Sequence, residues 1–194
     1  MSLRILSGRL KGREVASVPA DFPLRPISSR MKKSLFDILR PLLPGACFLD
    51  LFSGTGSVGL EAASLGAKKV FFVDKDPLCA AVAEKNIRRL SLAECAEVCR
   101  FDVLQGLAWL PYRLRGERVD FVFMGPPYRD VRQTPLFYVT PVLRDLAHSE
   151  FLKPDAWVIA QHHKKEIPEI PGGWELFRRN KYGDSFISFF RRAR

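Results

Sequence analysis

The chain has 194 residues, of which 47% are hydrophobic and 27% are charged. This length and composition predict one folded domain and exclude a disordered, collagenous or coiled-coil protein. Lysine and arginine number 31 against 21 aspartate and glutamate, and the resulting net charge of +10 favours a polyanionic partner such as nucleic acid.

The sequence shows no pattern typical of membrane insertion, export or metal binding. No apolar run approaches the ~20 residues that cross a bilayer, and the amino terminus does not resemble a signal peptide. The four cysteines and three histidines are not spaced like metal ligands. The pair His162-His163 is predicted to lie at the surface, with its rings on opposite faces of a strand. We therefore expect a cytoplasmic monomer with no metal and no membrane partner.

Residues 1–27 are predicted to form a basic arm, and residues 28–194 the main domain. Apolar and basic side chains alternate over residues 3–18, and Gly8 and Gly12 are typical turn residues, which together indicate a hairpin or extended arm with one cationic face. The basic residues at this end of the chain are Arg4, Arg9, Lys11, Arg13, Arg25, Arg30, Lys32 and Lys33. Only Glu14 and Asp21 oppose them, so positive charge is concentrated here.

The rest of the chain predicts alternating strands and helices. Ser28 and Ser29 are suited to cap a helix that runs to Leu39. Strands are predicted at residues 47–52, 70–74, 97–101, 119–124 and 156–160, and helices at 57–65, 77–90, 104–110 and 135–149. Two last strands, 174–177 and 186–190, are candidates for an antiparallel pair. The alternation predicts an α/β fold, a doubly wound and mostly parallel seven-stranded sheet covered on both faces.

A glycine-rich segment follows the first of these strands. Gly54-x-Gly56-x-x-Gly59 comes directly after the predicted strand and opens a helix, which is the context that a dinucleotide-type fingerprint requires. Glycine lets the backbone turn sharply and approach a ligand closely, and the helix start provides free N–H groups. The segment from Asp50 to Gly59 therefore predicts a cofactor site, although a plain strand–helix turn would have the same pattern.

Carboxylates end the next two strands. Asp74 lies 20 residues after Gly54, where a carboxylate can accept both hydroxyls of a ribose, and this suits NAD and S-adenosylmethionine (SAM) equally. Asp76 is a nearby competitor, but it can instead cap the helix that starts at Pro77. Asp102 ends the third strand, where it can accept a hydrogen bond from an adenine amino group or cap the following helix.

A proline-rich segment, Met124-Gly125-Pro126-Pro127-Tyr128, directly follows the fourth strand. Two prolines restrict φ and remove two donors, which predicts a rigid turn with carbonyl acceptors and an aromatic ring beside them. An exocyclic amine needs such acceptors because its lone pair is delocalised into the base. Tyr128 could stack on that base, a contact worth ~1–3 kcal/mol. An ordinary proline turn is the alternative interpretation.

Several segments occur together in the order of one known family. They are Leu24-Arg25-Pro26, Arg30, Ser34-Leu35-Phe36-Asp37, the stretch from Asp50 to Ala62 and the Pro-Pro-Tyr segment. Together they resemble the bacterial methyltransferases that modify guanine N2 in small-subunit (16S) ribosomal RNA. The similarity extends over nearly the whole chain, and the Leu-Arg-Pro segment combined with the glycine segment is much more specific than the glycine segment alone.

The resemblance implies a Rossmann-like SAM-dependent methyltransferase fold, with residues 28–194 as its domain and ribosomal RNA or the small ribosomal subunit as partner. The implied SAM residues are Asp50, Phe52, Ser53, Gly54, Thr55, Gly56, Asp74 on the ribose and Asp102 near the adenine. The implied catalytic residues are Gly125, Pro126, Pro127 and Tyr128. Arg4, Arg9, Lys11, Arg13, Arg25 and Arg30 would contact RNA.

The sequence departs from this family at Gly125. The family's loop is usually Asp-Pro-Pro followed by Tyr or Phe, so the side-chain acceptor for the target amine is missing here. Loss of a comparable catalytic hydrogen bond costs ~2.7–4 kcal/mol in barrier, or ~10²–10³ in rate. Gly125 therefore has three interpretations. The enzyme turns over slowly, a neighbour such as Asp130 supplies the acceptor, or residue 125 is a substituted position in this sequence.

Three other functions fit parts of the pattern. A DNA adenine-N6 methyltransferase also uses a Pro-Pro-aromatic loop, but 194 residues show no separate target-recognition domain. A weakly active or inactive protein that binds SAM and RNA is consistent with Gly125. An NAD oxidoreductase shares the glycine segment and Asp74, but hydride transfer has no need of the Pro-Pro-Tyr segment.

Overall fold

The computed structural model describes residues 3–22 and 27–193. Its helices are α1 (Ser29–Leu39), α2 (Ser57–Ser64), α3 (Pro77–Arg89), α4 (Leu110–Leu114) and α5 (Val139–Ala147), with a 3-10 turn over Val103–Gln105. Its strands are β1 (Leu3–Arg4), β2 (Glu14–Val15), β3 (Cys47–Leu51), β4 (Lys69–Asp74), β5 (Ala96–Arg100), β6 (Val119–Met124), β7 (Leu152–His163), β8 (Trp174–Tyr182) and β9 (Ser185–Arg192).

Seven of the strands form one sheet in the order β5-β4-β3-β6-β7-β9-β8. Strands β5, β4, β3, β6 and β7 are parallel, whereas β9 is antiparallel to both of its neighbours. The chain builds outward from β3 to β4 and β5, then returns to place β6 on the other side of β3. The predicted doubly wound, mostly parallel seven-stranded sheet is confirmed, including the antiparallel final pair.

Helices cover both faces of the sheet and enclose two hydrophobic clusters. One cluster joins Phe48, Phe72 and Phe121 to α1, α2 and α3, and the other joins Leu49 and Leu51 to α4 and α5. Consecutive residues of β3 belong to opposite clusters because successive strand side chains point to opposite faces. All five residues of β3 are buried, as expected for an interior strand with β4 on one side and β6 on the other.

The amino-terminal arm is a short hairpin packed on the domain. β1 pairs antiparallel with β2, and Gly8 and Gly12 adopt φ of +78° and +82° in the connection, a region that glycine enters without strain. Ile5 and Val15 are buried in the same cluster as α1. The predicted hairpin is therefore confirmed, while the domain boundary after residue 27 remains a prediction.

Two predicted helices differ from the structure. A helix was expected at residues 104–110, but Gly106 has φ of +92° and separates the 3-10 turn from α4, which begins at Leu110 with Pro111 in its first turn. The helix expected from residue 135 starts at Val139. The backbone of Leu136 is instead hydrogen-bonded to Tyr128, so this stretch belongs to the preceding loop.

The surface position predicted for His162 is wrong, because its side chain is fully buried. β7 is longer than predicted and pairs with β6 on one side and β9 on the other. The His162 ring lies 2.8 Å from Ser188 Oγ, and burial lowers the pKa of His162 below its usual range. His163 lies half-buried on the opposite face, as the strand pattern predicts.

Within residues 3–22 and 27–193, no helix combines the length and the apolar character needed to cross a membrane.

Candidate functional site

The predicted site residues meet at the carboxyl ends of three adjacent strands. Leu51, at the end of β3, is paired with Val73 on β4 and Met124 on β6. Ser53 N–H donates to the Val73 carbonyl at 3.0 Å, and Gly125 N–H donates to the Leu51 carbonyl at 3.4 Å. The loops after β3, β4 and β6 are thus side by side, at the point where the winding direction changes and where such sheets bind ligands.

Residues 52–56, here called the glycine loop, turn sharply away from β3. Phe52, Gly54 and Gly56 have φ of +58°, +54° and +85°, a region that residues other than glycine rarely adopt. Gly59 allows close packing of α2, since a Cβ there would lie 2.3 Å from the ring of Phe72. Gly56 has no side chain with which to cap α2, so the first N–H groups of this helix, Gly59 N–H apart, are not capped by the loop residue itself.

Asp50 lies beneath the glycine loop, with 1% of its surface exposed. Its carboxylate accepts a hydrogen bond from Gly59 N–H at 2.8 Å and so ties β3 to α2. Burial raises the pKa of Asp50 to about 8, and the charge of Asp74 adds to the rise while the Gly59 hydrogen bond opposes it. Asp50 therefore stabilises the glycine loop from below through this hydrogen bond.

Thr55 is also buried beneath the loop, at 2% exposure. Its carbonyl accepts a hydrogen bond from Asn86 Nδ2 at 3.1 Å, and the same amide nitrogen donates to the Ala16 carbonyl. Asn86 Oδ1 in turn accepts from Ala16 N–H at 2.8 Å. Asn86 thus joins the glycine loop to the end of the arm, and no sequence motif singles it out.

Asp74 reaches across from β4 to the glycine loop. One carboxylate oxygen accepts from Gly54 N–H at 2.7 Å and the other accepts from Asp76 N–H at 2.9 Å. Partial burial is the main reason that the pKa of Asp74 is raised. Each carboxylate oxygen has a second lone pair, so Asp74 can still accept from a ligand. Asp76 caps α3 by accepting from Leu78 and Cys79 N–H, which confirms the capping interpretation.

Asp102, after β5, has two contacts of its own. One oxygen accepts from Leu104 N–H at 3.1 Å and caps the 3-10 turn, while the other lies 3.1 Å from Lys75 Nζ. The capping alternative is therefore observed. Lys75 follows Asp74 directly in the chain, so this ion pair bridges the ends of β4 and β5.

The residues at these strand ends fit an adenosyl group carrying polar substituents. Ser53 Oγ is buried and has no hydrogen-bond partner among the described residues, so it is available to a ligand. The Phe52 ring stacks on Tyr138, with centroids 6.3 Å apart, and forms an apolar boundary.

In the part of the chain that the structure describes, no cluster of three or more His, Cys, Asp or Glu could hold a metal ion.

Residues 125–128, here called the Pro-Pro loop, follow β6 beside the glycine loop. Pro126 is buried and Tyr128 half-buried. The Tyr128 hydroxyl accepts from Gln161 Nε2 at 2.8 Å, and its ring meets His163 edge-on at a centroid distance of 5.9 Å. The Tyr128 ring is thereby fixed between the loop and the end of β7.

Gly125 has space for a small acidic side chain only after a minor adjustment. An added Cβ would lie 3.1 Å from Phe123 Cε1 and 3.9 Å from Gln161 Oε1. Asp130, the neighbour proposed from sequence as a substitute acceptor, uses one oxygen to accept from Arg132 and Thr134 N–H at 2.9 and 2.8 Å. Asp130 therefore organises its own turn.

The predicted RNA-contacting residues are largely exposed. Arg9, Lys11, Arg13 and Arg30 are exposed, whereas Arg4 also pairs with Glu14 at 2.6 Å and donates to the Gly12 carbonyl. Arg25 and the Leu24-Arg25-Pro26 motif lie outside the described residues.

The arm is attached to α2 by buried polar groups. Glu61, fully buried, accepts from the backbone N–H groups of Leu6 and Ser7 and from the Ser7 hydroxyl. Lys32 Nζ lies 3.2 Å from Glu61 and is itself 4% exposed. Because α2 starts at the glycine loop, the arm and the loop share one helix.

The similarity to known proteins extends over nearly the whole length of this chain. A family model described as "Conserved hypothetical protein 95" matches residues 3–191. YlbH of Bacillus subtilis is 30% identical over 98% of this chain and 99% of its own, and ribosomal RNA small subunit methyltransferase D of Haemophilus influenzae is 30% identical over 93% and 89%. The solved structure of yhhF from Escherichia coli has a TM-score of 0.82 at 26% identity, covering 100% of both chains. The predicted Rossmann-like SAM-dependent methyltransferase fold is confirmed.

Proposed function

The chain belongs to an rRNA methyltransferase family, and from that premise we propose that it transfers a methyl group from SAM to the exocyclic N2 amine of a guanine in small-subunit (16S) ribosomal RNA. The observation that carries the proposal is the adjacency of the glycine loop, Asp74 and the Pro-Pro loop at the ends of β3, β4 and β6. A donor site and an amine-binding site are thereby next to each other.

The glycine loop and the carboxylates would hold the donor. Asp74 would accept from the ribose hydroxyls, and Ser53 Oγ, which has no partner in the described chain, would bond a polar atom of the ligand. Asp102 would lie near the adenine. Asp50 and Thr55, buried beneath the loop, would act by shaping it. When bound, SAM supplies an electrophilic methyl group on a sulfonium.

The Pro-Pro loop would hold the target base. Tyr128, fixed by Gln161, offers a ring on which a guanine can stack, and the base must leave its own stack to reach it. Positioning of the amine against the methyl group would supply most of the catalysis. The described site has no need of a covalent enzyme intermediate, since amine nitrogen can attack the methyl carbon directly.

The arm would hold the RNA backbone. Arg9, Lys11, Arg13 and Arg30 are exposed, and contacts between such side chains and phosphates make binding strongly salt-dependent. Small-subunit RNA is the substrate named for a relative, methyltransferase D, that is similar over 93% of this chain. A DNA adenine methyltransferase is disfavoured by the same similarity.

Methyl transfer from tritiated SAM tests the proposal. Small ribosomal subunits that lack guanine-N2 methylation are compared with free 16S RNA and with adenine-containing DNA duplexes, and the labelled product is mapped by mass spectrometry. We expect label at a guanine N2 of the ribosomal RNA. Label in DNA, or label at another atom of the RNA, would contradict the proposed target.

A pair of variants tests whether Asp74 belongs to the donor site. Asp74→Ala removes the ribose acceptor and the bond to Gly54, and we expect SAM affinity to fall about 10- to 100-fold, as for loss of charge-assisted hydrogen bonds. Asp155→Ala, at an exposed position of β7, is the matched control. Isothermal titration of SAM into both variants provides the measurement, and equal affinities would remove Asp74 from the site.

A further inference from the structure

An acceptor lies at the position where Gly125 lacks one. β6 and β7 are paired so that Met124 is opposite Ala160, which places the next residues, Gly125 and Gln161, beside each other at the carboxyl edge of the sheet. Gln161 Oε1 lies 3.9 Å from the place that a Cβ of residue 125 would occupy. A side-chain oxygen from β7 therefore occupies the neighbourhood of a missing side chain on β6.

The orientation of the Gln161 amide leaves this oxygen available. Its Nε2 donates to the Tyr128 hydroxyl at 2.8 Å, so in this structure Oε1 is the end of the amide that does not face Tyr128. Within the described ranges, no group donates to Gln161 Oε1 in return. Gln161 is half-buried, so part of its surface is open to the surroundings.

Asp130, the other candidate, is less suited to this task. Its carboxylate accepts from two backbone N–H groups of its own turn, at Arg132 and Thr134. Both bonds go to Oδ1 and hold the carboxylate in that turn, so a movement of Asp130 toward Gly125 would break them. Gln161 needs no such rearrangement, because its amide is already bonded to the Pro-Pro loop.

We propose that Gln161 Oε1 accepts a hydrogen bond from the target amine and replaces the side-chain acceptor missing at Gly125. This inference rests on the proposed function. During transfer the amine nitrogen bonds to the methyl carbon, while the carbon–sulfur bond breaks and its electron pair stays on sulfur. The nitrogen becomes positively charged, so its N–H donates more strongly to Oε1 in the transition state than before it. The excess proton then leaves to water, because a neutral amide does not take it.

Substitution at Gln161 tests the acceptor directly. Gln161→Met keeps the length of the side chain and removes both polar atoms, and we expect the single-turnover methyl-transfer rate at saturating SAM and RNA to fall about 100- to 1,000-fold. Gln161→Glu keeps an acceptor that the Tyr128 hydroxyl can also bond, so its rate should remain within about tenfold of the wild type. Gln105→Met, at an exposed position, is the matched control.

A second substitution distinguishes a direct role of Gln161 as acceptor from a purely structural role. An aspartate at residue 125 restores an acceptor from the other side, so the double variant Gly125→Asp with Gln161→Met should regain most of the lost rate. If Gln161 acted only by holding the Tyr128 hydroxyl, an aspartate at residue 125 would not restore the rate. Circular dichroism and SAM titration should be unchanged in all variants, which shows that each one folds.

Each result decides one of the two proposals. If the wild type methylates 16S RNA and Gln161→Met is as fast as Gln105→Met, the acceptor role is wrong while the proposed function stands. A slow Gln161→Met that Gly125→Asp does not rescue also overturns the acceptor role. If the wild type transfers no methyl group to this RNA, the proposed function fails and this inference fails with it.

Discussion

At the scale of single residues, the glycine loop depends on a carboxyl group in an apolar place. Asp50 is almost wholly buried and its pKa is raised to about 8 by that burial. A protonated Asp50 still accepts from Gly59 N–H, so the folded protein retains both the proton and the bond. Between about pH 4 and 8 the loop is thus held by a carboxyl group that takes up a proton on folding.

The proton on Asp50 predicts how stability depends on pH. Its ordinary pKa is 3.8, so from about pH 4 to 8 the unfolded chain has released a proton that the folded protein retains. The stabilisation is complete below this range and is lost as pH rises through it, by at most about 1.4 kcal/mol per pH unit. Asp50→Asn replaces the titratable carboxyl by a neutral amide. The difference in the free energy of unfolding, variant minus wild type, should therefore increase as pH rises from 5 to 8.

Urea unfolding at several pH values measures this difference. Asp155→Asn, exposed at the other end of the sheet, should follow the wild-type curve throughout. Parallel curves for Asp50→Asn and wild type would show that Asp50 does not titrate in this range.

At the scale of secondary-structure elements, α2 connects the two parts of the site. The helix begins at the glycine loop, and its residues Glu61 and Ser64 bind the arm through Ser7 and Leu10. Gly8 lies so close to α2 that a Cβ there would be 2.1 Å from the Ser64 carbonyl. The arm is therefore a fixed attachment of this helix.

Loss of the Glu61 charge should destabilise this attachment. Glu61→Gln leaves Lys32 buried without its partner, and breaking a buried ion pair costs about 3–5 kcal/mol. Glu84→Gln, which affects an exposed pair with Arg88 on α3, should cost less than about 1 kcal/mol. Chemical unfolding compares the two variants, and an equally small loss for both would show that the pair contributes little.

Charge reversal on the arm should separate RNA binding from donor binding. With Arg9, Lys11 and Arg13 replaced by Glu, we expect RNA affinity to fall at least about tenfold and its salt dependence to weaken by roughly one unit of slope per lost phosphate contact. SAM affinity should not change. Arg115→Glu with Arg118→Glu, between α4 and β6, is the control. Unchanged RNA affinity in the arm variant would place the RNA elsewhere.

At the scale of the whole molecule, a donor that binds only the folded protein should raise its melting temperature. At a concentration about 100 times the Kd, the linkage contributes about 2.7 kcal/mol, which corresponds to a shift of about 5–10 °C for a domain of this size. We expect this shift with SAM and none with NADH. Thermal scans with each compound measure it, and the opposite result would favour an oxidoreductase.

Much of the fold is predictable because the relevant forces are local or periodic. Both ends of β6 are predicted, since an apolar run that only Asp120 interrupts stops at Gly125, and α1 begins after the Ser28 cap as expected. The helix predicted at 104–110 failed because its apolar spacing resembled a helix while Gly106 and Pro111 set other boundaries. Short elements give too few residues for periodicity to decide.

By itself, the sequence determined the alternation of strands and helices, the glycine loop and the Pro-Pro loop, because each depends on residues that are neighbours in the chain. Only the tertiary structure showed that Gln161 adjoins Gly125 and that Asn86 joins Thr55 to Ala16. These contacts connect residues 31 to 70 positions apart. They arise from strand order and helix packing, and cooperative folding of the whole domain is what brings such residues together.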